Sequence, residues 1–169
     1  MNIKKMLVLS FFGLLSALAP ASAFSGSEAH RTAGNRCLEQ GRTAAAISEY
    51  REALAADPSS TAVYFDLAIA YHSLSRTQEA ASALEKLVEL DPRDVEAYYN
   101  LGCLALYRGE LGQAKLFFIK ARTCRDRDPD FAPLVDQGLE FVDLISEKDP
   151  VTQKVILYSI QNGKFPSPA

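Results

Sequence analysis

A period of 34 residues runs through this chain and leaves few folds open to it. The dipeptides Asp57-Pro58 and Asp91-Pro92 stand 34 residues apart, and Gly41 and Gly109 stand 68 apart with Ser75 midway. Shifted by that period, the sequence lines up His30, Tyr64 and Tyr98; Ala33, Leu67 and Leu101; Gly34, Ala68 and Gly102; and Cys37, Tyr71 and Ala105. Three further ladders follow: Ala46, Ala80 and Ala114; Tyr50, Leu84 and Phe118; and Ala53, Leu87 and Ala121. Repeats of this length mark arrays of small units, each burying its apolar face only against its neighbours. Within a unit the apolar spacing is helical, so each reads as two amphipathic helices joined at the Gly or Ser. Proline closes the unit, because the residue before it avoids helical geometry.

The small residues inside the helices carry their own message. A glycine in a helix costs roughly 1 kcal/mol against alanine, so Gly102 implies a close approach of another element, as does the all-alanine column ending at Ala114. Gly109 is expected to make the turn between the two helices. Large residues at position 102 or 114 would force the helices apart.

These ladders resemble the tetratricopeptide repeat, over about Ser27 to Asp128. The matching residues are Gly34, Ala46, Tyr50, Ala53 and Pro58 in the first unit, and Tyr64, Leu67, Ala68, Tyr71, Ala80 and Pro92 in the second. The third supplies Tyr98, Leu101, Gly102, Ala114, Phe118 and Ala121. His30 departs from the pattern where an aromatic is usual, Cys37 replaces a tyrosine, and Asp126 replaces the closing proline, which comes late as Pro129. The resemblance implies an all-α fold, a right-handed α-solenoid of three repeats over 27–60, 61–94 and 95–128, with capping helices or a degenerate fourth repeat over 129–163. In the first capping segment Phe131, Leu134, Val135, Val142 and Ile145 fall near helical spacing. The second starts with Asp149 as N-cap before Pro150 and ends at Gly163. Its apolar residues, Val151, Val155, Ile156, Leu157, Tyr158 and Ile160, exceed a single stripe, so it either completes a fourth repeat or meets another chain. Residues 164–169 read as a loose tail.

The first residues have a separate logic. Lys4 and Lys5 precede an apolar run from Met6 to Ala19, and Pro20 precedes Ala21-Ser22-Ala23. That order is expected of a secretory signal peptide over 1–23 with cleavage before Phe24, leaving 24–26 as a short mature N-terminal segment and an exported protein, periplasmic or, as the alternative, secreted. The run is shorter than the roughly 20 apolar residues of a membrane span. Cleavage removes two lysines and no acid from a chain with 18 basic and 21 acidic residues. The remaining chain is acidic, with no basic patch of the kind that phosphate contacts require, so no nucleic-acid partner is expected.

No catalytic, metal or cofactor site is expected. His30 and Cys37 share a helix face but lie about 10 Å apart along it, and both sit in packing columns. Neither C-x-x-C nor H-E-x-x-H occurs. Cys37, Cys103 and Cys124 are expected to be buried or partly buried thiols, with Cys103 the one nearest the surface.

The resemblance further implies that the first helix of each repeat lines a concave groove for a protein or peptide. On this chain the groove residues would be Arg31, Asn35, Phe65, Asp66, Ile69, His72, Tyr99, Asn100, Cys103, Leu106 and Tyr107. One form of that groove grips a terminal carboxylate with lysine, asparagine and arginine. Arg31 and Asn35 fit the first two of those positions, but Asp66 stands where asparagine is wanted, Glu96 where lysine is wanted and Asn100 where arginine is wanted, so two acids would face the carboxylate and repel it. The expected function is an exported adaptor or scaffold. The alternative is a structural subunit of an envelope complex or homo-oligomer assembled through residues 150–162, with the groove covered by the chain's own last helices.

Overall fold

The computed structural model describes residues 21–162; of the signal peptide read over 1–23, residues 1–20 lie outside the described residues, as do the helix stop at Gly163 and the tail. The described residues form eight α-helices and one short 3-10 turn, with no strand among them. The chain divides into two compact units, one ending at Ser60 and the other beginning at Thr61.

The first unit is a helix pair, α1 (Ala21–Glu39) and α2 (Thr43–Ala56), packed along each other. The two meet at Gly34, where a Cβ would lie 2.5 Å from the Tyr50 ring. That ring is fully buried, and its hydroxyl donates to Asn35 Oδ1 at 2.6 Å. Gly41 makes the turn with φ of 71°, a left-handed conformation that costs glycine nothing. Arg42 N–H then donates back to Cys37 C=O at 2.8 Å, closing the end of α1.

In the second unit α3 (Thr61–Ser73) packs on α4 (Thr77–Leu90), and α5 (Val95–Arg108) on α6 (Leu111–Thr123), with α4 against α5. Gly109 turns the second pair at φ of 80°, whereas the first pair turns at Ser75, which holds φ of 57° with a Cβ in place. A 3-10 turn, Pro129–Phe131, leads into α7 (Ala132–Ser146), which packs on α6 through Val135, Leu139, Val142 and Ile145, all buried. The last helix, α8 (Pro150–Gln161), buries Ile160 alone.

The four Asp-Pro dipeptides share one device. Asp57, Asp91, Asp128 and Asp149 each accept, through a side-chain oxygen, the backbone N–H two residues on, which belongs to Ser59, Arg93, Asp130 and Val151 respectively. Proline removes one donor and sets φ, and the carboxylate satisfies the next donor. In Asp149 the same side chain also caps Thr152 N–H at 3.1 Å, so α8 has its N-terminus satisfied without help from the rest of the fold.

Candidate functional site

A cavity of about 280 Å³ opens in the second unit, walled by α3, α4 and α5 and by Ile160 at the end of α8. Its place follows from the packing columns. Where α1 meets α2, a glycine faces a tyrosine ring; where α5 meets α6, Gly102 faces the Phe118 ring, 2.6 Å from where its Cβ would be. Between α3 and α4 the same two columns hold Ala68 and Leu84, and both line the cavity. Leucine is shorter than either aromatic, and the Ala68 methyl keeps an aromatic ring from that position. The unfilled space is what the exchange leaves.

Apolar side chains dominate the wall: Phe65, Ile69, Leu84, Leu104 and Ile160. Ile69 is 45% exposed and sits beside Phe65 in the same wall. Polar groups sit at the margins. His72 is exposed at the end of α3, and Asn100 donates its side-chain amide to Glu96 C=O at 2.9 Å. Tyr107 bridges to α8: Gln161 Nε2 donates to Tyr107 C=O at 2.9 Å, and the Tyr107 hydroxyl reaches Gln161 C=O at 3.4 Å.

Of the residues expected to line a groove, Phe65, Ile69, His72, Asn100, Cys103 and Tyr107 come together around this cavity. Tyr99 does not line it. Its ring packs on Phe118 and on Phe131, with centroids 5.7 and 5.8 Å away, because the 3-10 turn after α6 brings Phe131 back over α5. Leu106 is buried, and Asp66 is half-buried on α3. Arg31 and Asn35 belong to the first unit, Arg31 paired with Glu28 at 3.8 Å and Asn35 with Tyr50. Leu104 also lines the cavity although no column pointed to it, and Ile160 reaches it because α7 and α8 turn the chain back, the arrangement expected if the last helices cover the groove. Away from the cavity, Gly138 of α7 closes the α5–α6 crossing. A Cβ on Gly138 would lie 2.9 Å from the Phe118 ring, so that ring is held between glycines of α5 and α7.

Burial dominates the electrostatics of this face. Burial pushes the Cys103 thiol up, only partly offset by its hydrogen bond with Tyr99, so it stays protonated and weakly nucleophilic near neutral pH. Tyr99 is pushed up to about 12, by burial first and by Cys103 second. Burial, with Asp94 and Asp128 nearby, raises Glu96. All three cysteines are free thiols, Cys37 and Cys124 buried and Cys103 half-buried. Among the described residues no cluster of His, Cys, Asp and Glu could hold a metal ion, and no helix is long and apolar enough to cross a membrane.

Two models described as tetratricopeptide repeat match the chain, over residues 38–102 and 95–121. Among curated proteins it is similar to the tetratricopeptide repeat and J domain-containing co-chaperone DNJ1 of Cryptococcus neoformans, 32% identical over 81 residues, 48% of this chain and 16% of that protein. It is also similar to the Hsp70-Hsp90 organizing protein of Triticum aestivum, 30% identical over 88 residues, 52% of this chain and 15% of that protein. The chain thus spans about a sixth of the length of these curated relatives. Among solved structures, the TPR2B domain of yeast Sti1 in its pHsp70 complex aligns with a TM-score of 0.64 at 23% identity, covering 70% of this chain and 96% of that one. The type III secretion translocator chaperone SycD of Yersinia enterocolitica aligns at 0.69 with 16% identity, covering 80% and 95%. SycD in complex with a peptide of the translocator YopD aligns at 0.65 with 17% identity, covering 71% and 94%.

Proposed function

The chain belongs to the tetratricopeptide repeat family, and we propose that it is a non-catalytic binding adaptor that takes an apolar side chain of a protein or peptide partner into the cavity between α3, α4 and α5. The observation that carries this reading is the wall of Phe65, Ile69, Leu84 and Leu104, with polar groups only at its margin. A concave apolar pocket of this kind is the usual seat of an interface anchor. One structural neighbour is described in complex with a peptide of YopD and another in a pHsp70 complex, which agrees with a protein or peptide ligand here. An acidic peptide tail is the wrong ligand for this chain, because Asp66 and Glu96 occupy positions where such a ligand needs amide and cation.

Export belongs to the same proposal, and its support is the sequence order of Lys4, Lys5, the apolar run and Ala21-Ser22-Ala23. A mature protein whose mass begins at Phe24 is the expected result; any other start removes the assignment.

The second reading, assembly through the last helix, has one observation of its own. Val151, Val155 and Tyr158 are 71, 61 and 68% exposed and share a face of α8. Size-exclusion chromatography with light scattering separates the readings: a monomer favours the adaptor. A dimer dispersed by Val155→Asp favours assembly through α8.

The cavity is tested by filling it with the chain's own alternative. Ala68→Gly with Leu84→Phe reproduces the pairing of Gly102 with Phe118, so the double variant should stay folded and lose its partner. Retained binding by the folded double variant would place recognition elsewhere.

A further inference from the structure

Ile160 is the one buried side chain of α8, and it is buried in the wall of the cavity. The rest of the helix is half-buried or exposed. Beyond Ile160, the end of α8 is held by the Gln161–Tyr107 hydrogen bonds and by Leu157, whose Cδ1 lies 3.4 Å from where a Cβ on Gly109 would be. At its other end α8 is capped by Asp149 within its own first turn, and Gln153 Nε2 donates to Lys148 C=O at 2.8 Å and to Ser146 C=O, at the end of α7, at 3.3 Å. These bonds are local, so the helix keeps its form when its far end lifts. The face of Val151, Val155 and Tyr158 stays exposed among the described residues.

We infer that the end of α8 is a displaceable occupant of the binding cavity: Ile160 fills apolar space that a partner's side chain would take, and partner binding and docking of α8 compete. This inference rests on the cavity being the binding site. A helix end held by two aliphatic side chains, Ile160 and Leu157, and two exposed hydrogen bonds is within reach of a ligand that buries similar apolar area. The competition also selects. A ligand that cannot replace Ile160 with an apolar group of its own leaves the docked state favoured, because only differential affinity shifts such an equilibrium.

Cys103 lines the same cavity and is half-buried, while Cys37 and Cys124 are buried elsewhere, so the chain carries its own reporter. Iodoacetamide labelling read by peptide mass spectrometry gives the rate at each cysteine, and 1-anilinonaphthalene-8-sulfonate fluorescence reports apolar space. In Ile160→Ala, labelling at Cys103 should rise several-fold with Cys37 and Cys124 unchanged, and the dye should bind more tightly than to the parent. Weaker dye binding, with the fold intact by circular dichroism, overturns the inference, since Ile160 is then a fixed wall of the site. Faster labelling at all three cysteines overturns it as well, because the change is then a general loosening. If Ile160→Ala does not fold, Gln161→Ala decides: it removes one exposed tether, and a rise confined to Cys103 supports competition where no rise contradicts it. Ala68→Gly with Leu84→Phe separates the two levels. Dye binding that survives in this filled variant sinks the cavity as the site, whatever α8 does.

Discussion

Phe118 shows how much of the architecture turns on single side chains. Its ring is buried between Gly102 and Gly138, with Tyr99 against it. Gly102→Ala gains roughly 1 kcal/mol in helix propensity, but overpacking a ring with nowhere to move costs about 1–3 kcal/mol, and the second effect should win. Calorimetry should show a lower melting temperature for Gly102→Ala, and for Gly138→Ala by the same clash. Adding Phe118→Leu to Gly102→Ala should recover part of the loss, since Ala facing Leu is the pairing of Ala68 with Leu84; a double-mutant cycle without favourable coupling contradicts this account. Ser75 offers the opposite case. It holds a left-handed φ of 57° that costs a non-glycine residue roughly 1–2 kcal/mol, and Gly41 and Gly109 fill the equivalent turns. Ser75→Gly should therefore raise the melting temperature by a few degrees; a fall would mean that the added freedom of the unfolded chain outweighs the relieved strain. Gly102 was legible from its ladder. Gly138 was not, because its partner comes from an element outside the period.

At the scale of the element, the Asp-Pro turns bind the fold to pH. The hydroxyl and then the N–H of Ser59 hold the Asp57 carboxyl below its usual value, and those of Thr152 do the same for Asp149. A carboxylate depressed in the folded state contributes stability that is full above the unfolded value and lost as pH falls through the folded one. Urea midpoints should thus decline as pH drops below the ordinary aspartate range, and Asp149→Asn should flatten part of that decline; an unchanged slope would show the cap to be silent. Glu96 has the reverse sign. Burial, then Asp94 and Asp128, raise it, so its contribution is present at low pH and lost as pH rises through the folded value. Glu96→Gln should be at least as stable as the parent at neutral pH and lose that advantage in acid. The helix pairs themselves were readable because periodic apolar columns leave little choice of face. The family resemblance implies a groove position for Tyr99, and the turn at Pro129–Phe131 draws its ring into an aromatic contact that no column predicts.

On the scale of the whole molecule, the fold is the part that the period dictates and the site is the part where the period is broken. Gly34 with Tyr50 and Gly102 with Phe118 fill their helix crossings, and Ala68 with Leu84 leaves room. The exchange was visible in the aligned columns, but its consequence, a cavity, needed the geometry of three helices and of Ile160 arriving from the end of the chain. Phe65, Ile69 and Tyr107 were legible as apolar residues on first helices; that Tyr107 is also tied to α8 was not. The central claim is that this cavity takes an apolar anchor, and selection of peptides from a random display library on the immobilised protein tests it most directly. The account predicts that enriched peptides share a large aliphatic or aromatic residue, bind Ser75→Gly as they bind the parent, and lose at least about tenfold in affinity for the Ala68→Gly, Leu84→Phe protein, which is about 1.4 kcal/mol. Enriched peptides without such a residue, or with undiminished affinity for the filled protein, would contradict it.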